Sequence, residues 1–201
     1  RPDFEHASVA VFTNRTNDPT QGRKTDDGLT IRTLWGELAY QLAGKAGYEV
    51  IRPNDENRTA PKGLFKDVLN KTTNALLLID ELADYCVAAS GVQVGGASLS
   101  DQTISFIQEL SETVASMNNC VVVVTLPASV EEVANSDKAS QILNSLSSRL
   151  GRVGADTKPV ADEEIFEVIR YRFFENIGSL DVINNVVSKY SELYTELNTE
   201  V

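Results

Sequence analysis

Asp80 and Glu81 are the side chains of this sequence whose types and spacing best fit catalysis. They follow the apolar run Ala75-Leu76-Leu77-Leu78-Ile79, itself preceded by the polar stretch Asn70 to Asn74. Such a run reads as a strand buried on both faces that delivers the two acids to its C-terminal edge. Open α/β sheets bind ligands outside the carboxyl ends of their strands. Phosphoryl chemistry at such an edge needs one acid to hold magnesium and one polar group to orient the attacking water, and adjacent Asp and Glu meet both needs. The plainer alternative is structural. Acids are favoured at helix starts, so the pair could simply end a core strand and open the next helix.

Other chemistries have little material. The one histidine, His6, lies near the N-terminus, which leaves almost nothing for a His-ligated metal or a Ser/His or Cys/His nucleophile. Cys86 and Cys120 adjoin the most hydrophobic runs and read as small buried apolar groups rather than as a disulfide or a metal pair. That points to a reducing, hence cytoplasmic, compartment. The net charge of -11 opposes broad nucleic-acid binding, which relies on Lys and Arg against phosphates, so direct nucleic-acid binding is not expected. No apolar run approaches the ~20 residues that span a bilayer, so no membrane partner is expected either. Asp26 and Asp27 could add to a metal site, although a solvated acidic loop is the simpler account. Gly44-Lys45 invites comparison with a phosphate-binding loop but fails it. Position 39 is Ala rather than Gly, position 46 is Ala rather than Ser or Thr, and the pair ends a helix instead of opening one.

The acids need a framework, and the rest of the chain reads as one. A first strand covers Ser8 to Phe12, and Thr13 to Gly28 is a polar loop. Thr33 caps a helix with Leu34, Leu38 and Leu42 on one face, and Gly44 and Gly47 are expected to stop it. Tyr48 to Ile51 reads as a short strand, Arg52 to Pro61 as a polar turn, and Lys62 to Asn70 as a helix. Ala83 to Gly96 reads as a flexible crossover because of Gly91, Gly95 and Gly96. Asp101 is expected to cap a helix carrying Ile104, Ile107, Leu110 and Val114. The β-branched run Cys120 to Thr125 is a second buried strand. A helix from about Val130 to Leu146, a last short strand within Val153 to Val160, and helices over Ala161 to Phe174 and Ser179 to Leu197 complete the pattern. Ile177, Leu180, Ile183 and Val187 are expected to pack the final helix on its predecessor. Strands alternating with helices give an α/β fold with a mostly parallel sheet.

The apolar run ending in Asp-Glu resembles the Walker B motif of AAA+ ATPases, which implies Asp80 on magnesium and Glu81 on the water. The same resemblance implies a sensor role for Thr125, which leaves the second buried strand where such ATPases monitor the γ-phosphate. It implies an arginine finger acting on a neighbouring subunit, with Arg149 the first choice and Arg152 the second. Plainer roles stand beside these: a turn hydrogen bond for Thr125, and surface charge at a helix C-terminus for the arginines. Arg170 and Arg172 are candidates for a second sensor. Trp35 and the Tyr40 face fit a core better than a partner groove.

A closer resemblance rests on three strings. Ile31-Arg32-Thr33-Leu34-Trp35-Gly36-Glu37-Leu38-Ala39-Tyr40-Gln41-Leu42, Leu78-Ile79-Asp80-Glu81-Leu82-Ala83-Asp84-Tyr85, and Glu164-Ile165-Phe166 leading to Arg170-Tyr171-Arg172-Phe173-Phe174 are similar to prokaryotic AAA+-type ATPases catalogued as domain of unknown function 499. The resemblance implies a P-loop NTPase sheet of the AAA+/RecA-like kind that lacks its first, Walker A strand. That strand would lie before Arg1, in a longer parent chain. Residues 1–160 would then be a partial ATPase core and residues 161–201 a helical lid-like segment. ATP and magnesium are implied for the intact parent, with poor ATP binding by this piece alone. The implied partners are the rest of the parent chain, further copies in a homo-oligomer, and DNA-modifying proteins in a phage-defence setting. Loss of the Walker A strand would leave backbone groups of the Cys120–Thr125 strand exposed. The competing expectation is a noncatalytic ATPase-like interaction module.

Overall fold

A computed structural model describes residues 6–127, 136–152, 154, 164–175 and 178–197, and the chain divides into two units, Arg1–Ala155 and Asp156–Val201. In the first unit the order is β1 (Ser8–Thr13), β2 (Arg23–Lys24), β3 (Thr30–Ile31), α1 (Leu34–Glu56), α2 (Phe65–Leu69), β4 (Ala75–Asp80), α3 (Leu82–Ala89), β5 (Gln93–Val94), β6 (Ala97–Ser98), α4 (Leu99–Ala115), β7 (Cys120–Val124) and α5 (Asp137–Leu150). The apolar runs pair as a parallel sheet in the order β1-β4-β7, with Thr13 beside Asp80 and Leu78 beside Val123. The α/β class and the parallel sheet expected from the sequence are present.

Successive strand residues face opposite sides of a sheet. Ala10, Phe12, Ala75, Leu77, Ile79 and Cys120 share one face and are buried, with α1 packed on β1 and α4 on β7. On the other face the register aligns Val9, Leu76 and Val121 in one row and Val11, Leu78 and Val123 in the next. The four valines there remain 43% to 55% exposed. Burial of β4 on both faces is therefore an expectation the structure corrects. Leu76 and Leu78 are half-buried, because the described helices that touch the sheet lie on the Leu77 side.

The two sheet edges differ. At β1, Gln41 closes the edge: its Nε2 donates to Val11 O at 2.8 Å and its Oε1 accepts from Val11 N–H at 2.7 Å. Gln41 also donates to Glu37 Oε1 at 2.6 Å, and buried Glu37 accepts from Arg23 Nε at 2.7 Å and Nη2 at 3.0 Å. Among the described residues, no strand pairs with the outer side of β7. The last strand expected within Val153 to Val160 lies outside the described residues, apart from Gly154.

Helix α1 overturns two expectations. Thr33 caps it as expected, its Oγ1 accepting from Gly36 N–H at 3.0 Å. Gly44 ends the first helical half as expected, since Ala43 and Gly44 are non-helical, the latter at φ 59° and ψ -150°, but a second half starts directly after it and Gly47 lies within that half. Tyr48 to Ile51 is thus helix and not strand, and the segment expected as a polar turn from Arg52 is helical through Glu56. The reason is tertiary. Tyr48, Ile51 and Asp55 recur at helical spacing and are buried, so the continued helix has a face to bury. Gly47 lies close against its own helix, where a Cβ would collide with Ala39 O.

That second half of α1 carries a buried polar node. Asp55, fully buried, accepts from Thr33 Oγ1 at 2.6 Å, Tyr48 Oη at 2.8 Å and Arg32 N–H at 3.1 Å. A Cβ at Gly36 would collide with this carboxylate and lie 2.9 Å from Ile31 Cγ2. Trp35 is fully buried and packs on Phe106 with ring centroids 5.6 Å apart. The Trp-Gly-Glu string is thereby a packing device: an aromatic core anchor, a glycine under Asp55, and an acid that holds Arg23.

Further corrections are local. The loop from Thr13 to Gly28 contains a 3-10 turn at Asn14–Thr16 and strand β2, which pairs antiparallel with β3. The expected crossover from Ala83 to Gly96 holds α3 and the hairpin β5-β6 instead. Its small residues Ala83, Cys86 and Ala89 are buried helical residues, and Gly95 makes the turn at φ 60°. Ser98, not Asp101, is the N-cap of α4. Asp101 is its reciprocal partner, accepting from Ser98 N–H at 2.8 Å while Ser98 Oγ accepts from Asp101 N–H at 3.2 Å. Helix α5 is capped by Ser136; residues 128–135, where the sequence reading began this helix, lie outside the described residues.

The second unit contains α6 (Ile165–Phe173) and α7 (Leu180–Leu197). The expected packing positions Leu180 and Val187 are 74% and 60% exposed, and Ile177 lies outside the described residues. Ile183, the remaining expected position, is half-buried.

Candidate functional site

The parallel register carries the ends of β1, β4 and β7 to one edge, and three of the expected site residues meet there. Thr125 N–H donates to Ile79 O at 3.0 Å, which continues the ladder one residue past β7 and sets the Thr125 side chain beside Asp80. Thr125 Oγ1 donates to Asp80 Oδ1 at 2.5 Å. The Glu81 N–H lies 3.1 Å from Asp80 Oδ1 and 3.3 Å from Thr125 Oγ1, both acceptors. Glu81 precedes α3 in the left-handed conformation, φ 55° and ψ 36°, and its side chain makes no cap hydrogen bond. Merely opening a helix does not require this. An ordinary N-cap is extended and turns its side chain back onto the helix.

Two neighbours at this edge were not among the expected site residues, although Asp84 belongs to the Asp-Glu-Leu-x-Asp-Tyr string. Arg15, in the turn after β1, reaches Glu81 with Nε 3.5 Å from Oε1. Asp84, a turn further along α3, is half-buried; burial pushes its carboxyl above the usual range and the Glu81 charge adds to this. Arg15 sits in an irregular loop without periodicity, so only the fold reveals its contact.

The donor set can be tested against magnesium. Asp80 offers a carboxylate, with the Thr125 hydroxyl and Glu81 beside it, and oxygen donors suit this ion. Among the described residues no group of three or more His, Cys, Asp or Glu side chains is arranged to hold a metal. These residues therefore fit magnesium only in its common form, with one or two protein carboxylates and the remaining positions filled by water and substrate phosphates.

The remaining candidates lie elsewhere. Arg149 and Arg152 line a cleft of about 400 Å³ with Gln108, Asn144, Ser145 and Ser148, formed between α4 and α5. There Arg149 Nη1 donates to Gln108 Oε1. Asp27 accepts from Thr25 Oγ1, which chiefly holds its carboxyl below the usual range, and from Tyr40 Oη at 3.1 Å, which adds to this. Neither Asp26 nor Asp27 joins the Asp80 edge. In the second unit Arg170 pairs with Glu167 at 2.7 Å and lies over the Tyr171 ring. Ala43 and Gly44 form the kink of α1, and Lys45 lies in the helix that follows it.

Comparison with known proteins gives one match. A family model described as the DUF499 N-terminal domain matches residues 8–157. No curated protein and no solved structure matches the chain. The matched span contains the whole sheet, the Asp80 edge and the Trp-Gly-Glu helix, and the chain belongs to the DUF499 family.

Proposed function

We propose that this chain contributes the hydrolytic edge of a magnesium-dependent ATPase that turns ATP hydrolysis into conformational work. The observation that carries this is the convergence of Asp80, Glu81 and Thr125 at the C-terminal edge of a parallel sheet. Asp80 holds the metal, Glu81 orients the attacking water, and Thr125 ties the two acids' positions together and reports on the phosphate end. Magnesium, when bound, neutralises charge on the phosphate oxygens. The sequence has no Gly-x-x-x-x-Gly-Lys-Ser/Thr string, so the phosphate cradle comes from outside these residues. Arg149, with Arg152 beside it, is assigned to a neighbouring copy's nucleotide rather than its own, since it lies in the α4-α5 cleft. A role beside DNA-modifying proteins in a phage-defence setting is proposed on the sequence resemblance alone.

The test is magnesium-dependent ATP turnover by the chain extended N-terminally through a phosphate-binding loop, beside its Asp80→Asn variant. Turnover in the wild type that Asp80→Asn abolishes supports the assignment, and equal turnover in both removes it. One observation favours a second reading. The half-exposed valine rows on the sheet suit an interaction module in which Asp80 and Glu81 only end a strand. Absence of nucleotide binding in the extended wild type would favour that module.

A further inference from the structure

A cation stands beside the candidate water-orienting carboxylate, on a turn held by side-chain hydrogen bonds. Arg15 lies in the 3-10 turn Asn14–Thr16, which leaves the C-terminal end of β1 at the same sheet edge as Asp80. Thr13 Oγ1 accepts from Arg15 N–H at 3.2 Å. Asn17 Nδ2 donates to Thr13 O at 2.9 Å and to Thr16 Oγ1 at 3.0 Å. The backbone under Arg15 is thus tied on both sides, and its side chain crosses to Glu81.

Glu81 is held at its other end too. Its N–H is shared between Asp80 Oδ1 and Thr125 Oγ1, and its left-handed backbone fixes where its Cβ points. What remains free is the side chain beyond Cβ, with several rotatable bonds. A carboxylate that orients water must face one way, and a misplacement of about 1 Å can cost on the order of 100-fold in rate. Among the described residues Arg15 is the only cation paired with Glu81. The pair adds little to folding, since its side chains are 83% and 32% exposed and exposed pairs contribute little stability. Its value is directional.

We propose that Arg15 is a positioning residue for the hydrolysis assigned above: by pairing through Nε with one oxygen of Glu81 it leaves the other oxygen facing the attacking water. This rests on the ATPase reading. Arg15→Ala should lower kcat about fivefold, the worth of an exposed charge pair, with KM for ATP and Tm unchanged. Arg15→Lys should restore part of the loss, and high salt should narrow the gap between wild type and Arg15→Ala. Arg15→Ala added to Glu81→Gln should slow turnover no further, because both act through one carboxylate.

A second readout needs no turnover. In this chain, labelled with nitrogen-15, the Arg15 Nε–Hε resonance should move on Glu81→Gln and stay in place on Glu109→Gln. No movement on Glu81→Gln overturns the pairing whether or not the protein hydrolyses ATP. Movement with unchanged kcat in Arg15→Ala, or with additive losses in the double variant, overturns the positioning role. A wild type without turnover, in which the resonance still moves, overturns the ATPase reading and the positioning role with it, and leaves only an ion pair.

Discussion

Glu81 adopts a backbone conformation that its residue type disfavours, at the end of an apolar strand where the sequence puts two acids side by side. A left-handed non-glycine residue costs about 1–3 kcal/mol, and such strain persists where the surrounding structure over-determines it. The shared acceptors Asp80 and Thr125 do so here. Glu81→Gly should therefore leave stability unchanged or raise it by about 1 kcal/mol in denaturant unfolding. A clear loss of stability would show that the glutamate serves the fold. Gly36 presents the opposite case. Gly36→Ala would drive a methyl into the Asp55 carboxylate and should destabilise by about 1–3 kcal/mol, read from the same unfolding curves. Cys86 is fully buried, and burial pushes its thiol up to about 12. At pH 8 it should resist a thiol reagent in the native chain and react promptly once unfolded.

Among the elements, the three strands of the parallel sheet and helices such as α4 and α7 were legible in the sequence because apolar runs and helical spacing report burial directly, whereas the short hairpins β2-β3 and β5-β6 were not. The Asp80 edge was legible for the same reason: a short apolar run has a definite end, and Asp80, Glu81 and Thr125 stand at two such ends. The second half of α1 was not, because Gly44 does break the helix and Gly47 looks like a further stop, and only the burial of Tyr48, Ile51 and Asp55 makes a second half favourable. Arg15 was not, because a turn residue is placed by its neighbours in space. Helix α4 shows the finer limit. Ser98 and Asp101 form a capping box, and in the sequence the acid three residues in carries the same helix-start signal as the true cap. Ser98→Ala should cost about 1 kcal/mol. The Ser98 hydroxyl and backbone N–H hold the Asp101 carboxyl below its usual range. Its contribution to stability is thus present above the unfolded carboxyl pKa of about 3.9 and lost as pH falls through the lower folded value. Asp101→Asn should flatten that acid limb of the stability profile.

On the scale of the first unit, a parallel sheet is covered on one face, capped at the β1 edge by Gln41, and left with half-exposed valines on the other face. Parallel sheets are ordinarily covered on both faces. The chain should therefore bind a hydrophobic dye, and Val121→Thr with Val123→Thr should reduce that fluorescence while leaving the unfolding midpoint nearly unchanged. At the sheet edge that bears Asp80, Glu81 and Thr125, the proposed hydrolysis depends on the Glu81 side chain above all. The most direct measurement is single-turnover ATP hydrolysis, with magnesium, by the N-terminally extended protein and its Glu81→Gln variant. Loss of at least about 100-fold in the chemical step with ATP still bound is the predicted result, as expected for removal of a water-orienting base. Equal hydrolysis by wild type and Glu81→Gln would contradict it.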